Sequence, residues 1–194
     1  NAAHLQPLNL LEADIYQRNN ANLQRIKELR CQPLLQNVYT DMVKTSAIVF
    51  MQEVLGKVII EKEKNQELFT FLFDEVCRIE KMTKLPALYP TYWLVKLSQY
   101  LGFPPATDTW EEGHLFLPVE GIFSTDNTEP LYFTAPIAKI IYKLSSTMPE
   151  NLGLIETNAN IRKELLDKLL LYYKVHIEGF NELKSHKILV EVLA

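Results

Sequence analysis

The chain has 194 residues, a formal net charge of −4, 47% apolar residues and 23% charged residues, the composition of an ordinary globular protein long enough to bury a core. No run reaches the roughly 18 apolar residues of a membrane-spanning helix, and no charged, apolar, small-residue prefix of signal-peptide type is present. Two cysteines, Cys31 and Cys77, are too few for a disulfide framework or a structural zinc site and point to a reducing, cytoplasmic setting. The mild acidity argues against a surface that binds nucleic acid all over, while leaving room for a local basic patch.

The chain opens Asn1-Ala2-Ala3 rather than on Met, which reads as a piece of a longer protein with one or two foreign residues at its front. Residues 5–16 and 22–30 read as two strands around the polar stretch Gln17-Arg18-Asn19-Asn20-Ala21, whose asparagines suit a hairpin loop. The first strand is already prefigured by Leu5-Gln6-Pro7-Leu8-Asn9-Leu10-Leu11; in the second, the spacing of Leu23, Ile26 and Leu29 is ambiguous between strand and helix. Two strands alone are marginal in water, so they read as the edge of a larger sheet.

From about residue 40 the period becomes helical. Thr40 or Asp41 can cap a helix that turns Val43, Ala47, Phe50, Met51, Val54, Leu55 and Val58 inward, ending in the charged run Glu61-Lys62-Glu63-Lys64. Asn65 can cap the next, with Leu68, Phe69, Leu72, Phe73 and Val76 as its stripe. A third spans about 87–101 and stops at Gly102, with Pro104-Pro105 beyond. Residues 103–133 hold six acids and no Lys or Arg, and their two short apolar runs, 115–119 and 121–124, predict a small irregular hairpin held by Leu115, Leu117, Val119, Ile122 and Phe123. Further helices are expected at about 134–146 and 158–176, the latter broken at Gly179, and at about 184–193.

The sequence holds no glycine-rich phosphate loop, no nucleophile elbow and no paired-histidine zinc motif. The histidines, His4, His114, His176 and His186, are scattered; His176 reads as a packing or surface residue rather than a metal ligand. Cys77 reads as a small buried apolar residue, and Cys31 has no neighbouring base to activate it. The pairs Glu111-Glu112 and Glu61/Glu63 read as solvated faces, since sequence neighbours do not share a helix face. No cofactor site and no catalytic group are expected.

Two features carry more. The third helix bears Tyr89, Tyr92, Trp93 and Tyr100 around Lys96 and is apolar nearly all round, which predicts burial. A sharper reading has one edge of it, with Tyr92, Val95, Lys96 and Gln99 and with Lys84 nearby, line a groove for an acidic-ended peptide. Residues 17–44 carry five bases (Arg18, Arg25, Lys27, Arg30 and Lys44) against two acids. In a regular strand Arg25 and Lys27 share a face, where each can neutralise a phosphate; a solvated strand face is the alternative.

The C-terminal pattern Tyr172-Tyr173-Lys174-Val175-His176-Ile177-Glu178-Gly179-Phe180, followed by Leu183-Lys184-Ser185 and Ile188-Leu189, resembles the end of RecO proteins, the bacterial recombination mediators. Leu5-Gln6-Pro7-Leu8, Asn22-Leu23-Gln24-Arg25-Ile26-Lys27-Glu28 and Leu97-Ser98-Gln99-Tyr100-Leu101-Gly102-Phe103 resemble the same family, in its Bacteroidetes form. The resemblance implies a mainly α fold. Residues 1–32 would be the last strands of an N-terminal OB-fold, and residues 33–194 a helical domain with its β insertion at about 103–133. It implies a DNA repair protein that is not an enzyme. Such proteins bind single- and double-stranded DNA, anneal strands, work with RecR, engage the acidic, Phe-ended tail of the single-stranded DNA-binding protein and help load RecA near the nucleoid. The DNA-binding part would be mostly missing here, leaving Arg18, Arg25, Lys27, Arg30 and Lys44. The four-cysteine zinc site of many RecO proteins is not supported, because residues 103–133 contain no Cys. The competing reading is a generic all-α partner- or ligand-binding regulatory domain.

Overall fold

A computed structural model describes residues 2–16, 23–59 and 64–193. Its elements in chain order are β1 (Leu11–Tyr16), β2 (Arg25–Cys31), α1 (Asn37–Thr40), α2 (Met42–Val58), α3 (Gln66–Lys81), α4 (Tyr89–Tyr100), β3 (Leu115–Leu117), β4 (Ile122–Ser124), α5 (Ala135–Ser146), α6 (Ala159–His176) and α7 (Ser185–Val192). The fold is mostly helical, with β1–β2 and β3–β4 as two separate antiparallel pairs. Short 3₁₀ turns at Ala2–Leu5, Thr107–Thr109 and Pro149–Leu154 were not legible in the periodicity. The strand expected from residue 5 begins only at Leu11, after a 3₁₀ turn and a loop.

The ambiguous spacing in β2 has a physical resolution. Glu28 pairs with Asp14 and Ile26 with Ile15, so Lys27 is one residue too many and the ladder bulges there. The bulge lets Ile26 and Leu29, three apart, each sit opposite an apolar residue of β1 (Ile15 and Ala13). Residues directly opposite share a face. One face therefore carries Leu11, Ala13, Ile15, Ile26, Leu29 and Cys31, and the other carries Glu12, Asp14, Tyr16, Arg25, Glu28 and Arg30.

α2 and α3 begin at the expected caps, and α6 begins at a further one. Asp41 accepts from the Val43 and Lys44 amides, Asn65 from Leu68 and Asn158 from Ile161. Gly102 closes α4 at φ +87° and Gly179 follows α6 at φ +76°, a conformation that glycine alone adopts cheaply. On α2 the expected stripe is buried, joined by Lys44 and Ile48, while Val43 is only half-buried. On α3 the stripe is rotated: Leu68, Glu75, Val76 and Ile79 are buried, whereas Phe69 is 61% exposed. Cys77, expected to be buried, is half-buried, with burial raising its thiol pKa against the opposing pull of Lys81.

α4 is the central helix. Tyr89 through Val95, with Leu97 and Ser98, are all buried, as a helix apolar on every side requires. It packs on α5 and α6, and the Tyr173 hydroxyl of α6 donates to the Leu94 carbonyl at 2.7 Å. The insertion docks through aromatic edges. Phe116 and Phe133 bridge by two backbone bonds and are fully buried, and Trp110 stacks on Tyr142 at 4.9 Å. Of the five residues expected to hold it, Leu117 and Phe123 are buried, Leu115 and Ile122 are half-buried, and Val119 is 53% exposed. Phe116, a residue between two expected anchors, is the main one. His176 locks the insertion from the helical side: Nε2 meets the Pro118 carbonyl at 2.8 Å and the ring stacks on Phe103.

Candidate functional site

Three surfaces concern the expected site residues. The first is the β1–β2 hairpin. Arg25 stands opposite Tyr16 on its charged face and Lys27 is the bulged residue, so the regular alternation that would align the two is interrupted. Both are exposed. Arg30 is also exposed but committed, donating to Glu12 across the ladder at 3.1 and 3.3 Å. Arg18 lies outside the described residues. Lys44 does not belong to this surface. It is 3% exposed, and its ammonium donates to the Glu80 and Met82 carbonyls inside the molecule. Its neighbour Glu80 accepts from three successive amides, those of Gln36, Asn37 and Val38, at 2.9–3.0 Å. Lys44 and Glu80 therefore fasten α1, and with it the chain that leaves β2, to the end of α3.

The second surface is a cleft of about 640 Å³ between α3 and α4. It gathers Tyr92, Lys96 and Gln99 of the expected groove residues, with Phe71, Tyr100, Glu67, Asp74, Glu75 and Arg78. Val95 does not line it; at 1% exposure it faces the core. Neither does Lys84, which belongs to another hollow. Within the cleft Glu75 is buried and accepts from the Tyr89 hydroxyl at 2.6 Å and from Arg78 Nε at 3.1 Å. Burial, reinforced by Glu75, raises the Tyr89 hydroxyl far above its ordinary value and pushes that of Tyr92 up to about 12. Lys96 is not a free cation: its Nζ donates to the Ser145 carbonyl at 2.6 Å and lies 5.6 Å from the Tyr92 ring centroid. Burial pulls its pKa below the usual lysine value, against the opposing pull of Glu75.

The third surface escaped the sequence reading. Two adjoining hollows, of about 180 and 670 Å³, share Arg162, Ala87 and Leu193 where α4, α6 and α7 meet. The smaller is walled by apolar residues such as Pro90, Leu166 and Leu189; the larger brings in Lys84. The Arg162 guanidinium donates to the Leu193 carbonyl at 3.0 Å and to the Thr157 carbonyl at 3.4 Å, while its Nε is buried with no partner. Lys84 and Arg162 make no ion pair among the described residues. Nothing in the local pattern marks Arg162, because α4 and the Lys84 segment that face it from across the hollows are far from α6 in the chain.

The family model "Recombination protein O C terminal" matches residues 39–187. The chain belongs to the RecO family. It is similar to the DNA repair protein RecO of Christiangramia forsetii, 30% identical over 195 residues that cover 98% of this chain and 79% of the relative. Those of Flavobacterium psychrophilum (29%, covering 99% and 79%) and Azobacteroides pseudotrichonymphae (28%, covering 96% and 78%) are similar to it too. The RecO model takes in every element from α2 to α6 and the start of α7, and so the whole cleft and all of the lining of the hollows except their α7 side from Leu189 on. Among the described residues no helix of this RecO chain is long and apolar enough to cross a membrane, and no group of three His, Cys, Asp or Glu is placed to hold a metal.

Proposed function

We propose that this RecO-family chain serves DNA repair and recombination in the bacterial cytoplasm, at the nucleoid, as a mediator that binds rather than catalyses. In this role it engages single- and double-stranded DNA, promotes strand annealing, works with RecR and takes the acidic tail of the single-stranded DNA-binding protein, so aiding RecA loading. The observation that carries the reading is the family match over residues 39–187. It also favours this role over that of a generic all-α regulatory domain.

Two surfaces divide the work in this proposal. The hairpin offers Arg25 and Lys27 to phosphates, where exposed cations act without regard to base sequence. The Lys84–Arg162 hollows suit an acidic, Phe-ended tail better than the α3–α4 cleft does. There, the exposed Lys84 and the Arg162 guanidinium, which also serves the Thr157 and Leu193 carbonyls, stand beside an apolar pocket of about 180 Å³ that can take an aromatic side chain. The two acids of the larger hollow are already engaged, Asp41 by the Val43 and Lys44 amides and Glu150 by Arg78. Calorimetry with a peptide copying that tail tests this half: Lys84→Glu and Arg162→Gln each weaken binding about tenfold, and Lys96→Glu leaves it nearly unchanged. Equal loss in all three returns the tail to the third helix. Annealing of complementary labelled oligonucleotides tests the rest, and a rate no faster than that of the oligonucleotides alone rejects a mediator role for this chain.

A further inference from the structure

The α3–α4 cleft has a chemistry opposite to that of an anion site. Its rim is aromatic: Phe71 and Tyr100 stack with centroids 4.5 Å apart, and Tyr100 is 38% exposed. Tyr92 forms the floor beside them. Two α3 carboxylates, Glu67 and Asp74, stand exposed on the wall and make no ion pair among the described residues. The two cations at the cleft are already used. Arg78 is held between Glu75 at 3.1 Å and Glu150 at 3.0 Å, and Lys96 is bonded to the Ser145 carbonyl. An anionic ligand would meet two unneutralised carboxylates and cations that have to be pulled from their partners. A guanidinium or ammonium would meet carboxylates for charge and ring faces for stacking, which is how arginine is usually held at interfaces.

We infer that the α3–α4 cleft is a docking site for a basic segment of a partner protein, an extended stretch that presents Arg or Lys to Glu67 and Asp74 and lays an apolar or guanidinium face on Tyr100. Charge complementarity selects this occupant; the cleft shares no lining residue with the Lys84–Arg162 hollows, which it meets through the Arg78–Glu150 ion pair, so variants at Glu67 and Asp74 test it apart from those at Lys84 and Arg162.

The test is calorimetric titration of the whole chain with a short, end-blocked peptide of alternating Arg and Leu, beside a matched peptide with Glu in place of Arg. The Arg peptide should bind saturably at one site, and the Glu peptide should neither bind the cleft nor compete. Glu67→Gln combined with Asp74→Asn should weaken the Arg peptide about tenfold, and Tyr100→Ala several-fold. Glu120→Gln with Glu129→Gln removes as much negative charge from the insertion, with no aromatic groove beside it, and should leave affinity unchanged. Equal weakening by the control pair would reduce the binding to general attraction for an acidic protein and overturn the proposal. So would seating of the Glu peptide in the cleft, seen as protection of Tyr100 from chemical labelling.

Discussion

Two carboxylates illustrate how single residues organise this molecule. Glu80 closes the N-terminal turn of α1 with three backbone donors, and Glu53 does the same for α7 through the Lys184 and Ser185 amides and the Ser185 hydroxyl. Burial raises the pKa of each, but the donated hydrogen bonds outweigh it, and both end below the usual glutamate value. A depressed folded pKa contributes stability that is present above the unfolded value of about 4.3 and is lost as pH falls through the folded one. Glu80→Gln should therefore cost about 1–2 kcal/mol in urea denaturation at neutral pH, screened by partial exposure, and the gap to the parent protein should close below about pH 4. A gap that persists in acid would show that shape, not charge, holds α1. Tyr89→Phe strips a donor from the buried Glu75 carboxylate and should cost about 1–3 kcal/mol in the same measurement.

Among the elements, the insertion depends on one tight turn. Gly121 sits at φ +71°, and a Cβ there would stand 3.1 Å from the Tyr172 hydroxyl, which itself donates to the Phe103 carbonyl at 2.7 Å. Gly121→Ala should lower stability by about 1–2 kcal/mol, read as a drop in Tm. Gly102→Ala, at φ +87° with open space around it, should lose only the backbone part, so the difference between the two isolates the Tyr172 contact. Equal losses would mean that Tyr172 moves aside without cost. Much of this level was legible beforehand, since Asp41 and Asn65 cap their own helices and local hydrogen bonding needs no tertiary partner. The side of α3 that turns inward was not. Phe69 reads as core by hydrophobicity, yet it is Glu75 that is buried, because Tyr89 and Arg78 satisfy its charge from another element and from its own helix.

For the whole molecule, the net −4 conceals a separation of charge. The hairpin presents Arg25 and Lys27, the α3–α4 cleft presents carboxylates, and the insertion is acidic throughout. If the hairpin meets single-stranded DNA, replacing Arg25 and Lys27 together by Ala should reduce the slope of log affinity against log salt by about 1.4, or 0.7 per phosphate contact. Arg30→Ala should change it less, because its guanidinium already answers Glu12. An unchanged slope in the double variant would place the DNA elsewhere. Lys44→Met is the complementary case: it should leave the slope alone and lower the unfolding midpoint, since that ammonium serves the Glu80 and Met82 carbonyls rather than solvent.

Taken alone, the sequence determined the order of the two hairpins and the long helices, the caps of α2 and α3 and the stop after α4, the burial of α4 and membership of the RecO family. These follow from local periodicity, from backbone preferences and from a pattern spread along the chain. The structure alone decided which charges are free. Lys44, Lys96 and Arg30 look alike as letters, yet one is buried on carbonyls, one is bonded to Ser145 and one is paired across a ladder. It also brought Lys84 and Arg162 together at a cavity from segments far apart in sequence. Partner groups come from distant parts of the chain, and whether a cation can meet a ligand depends on whether such a group has already claimed it.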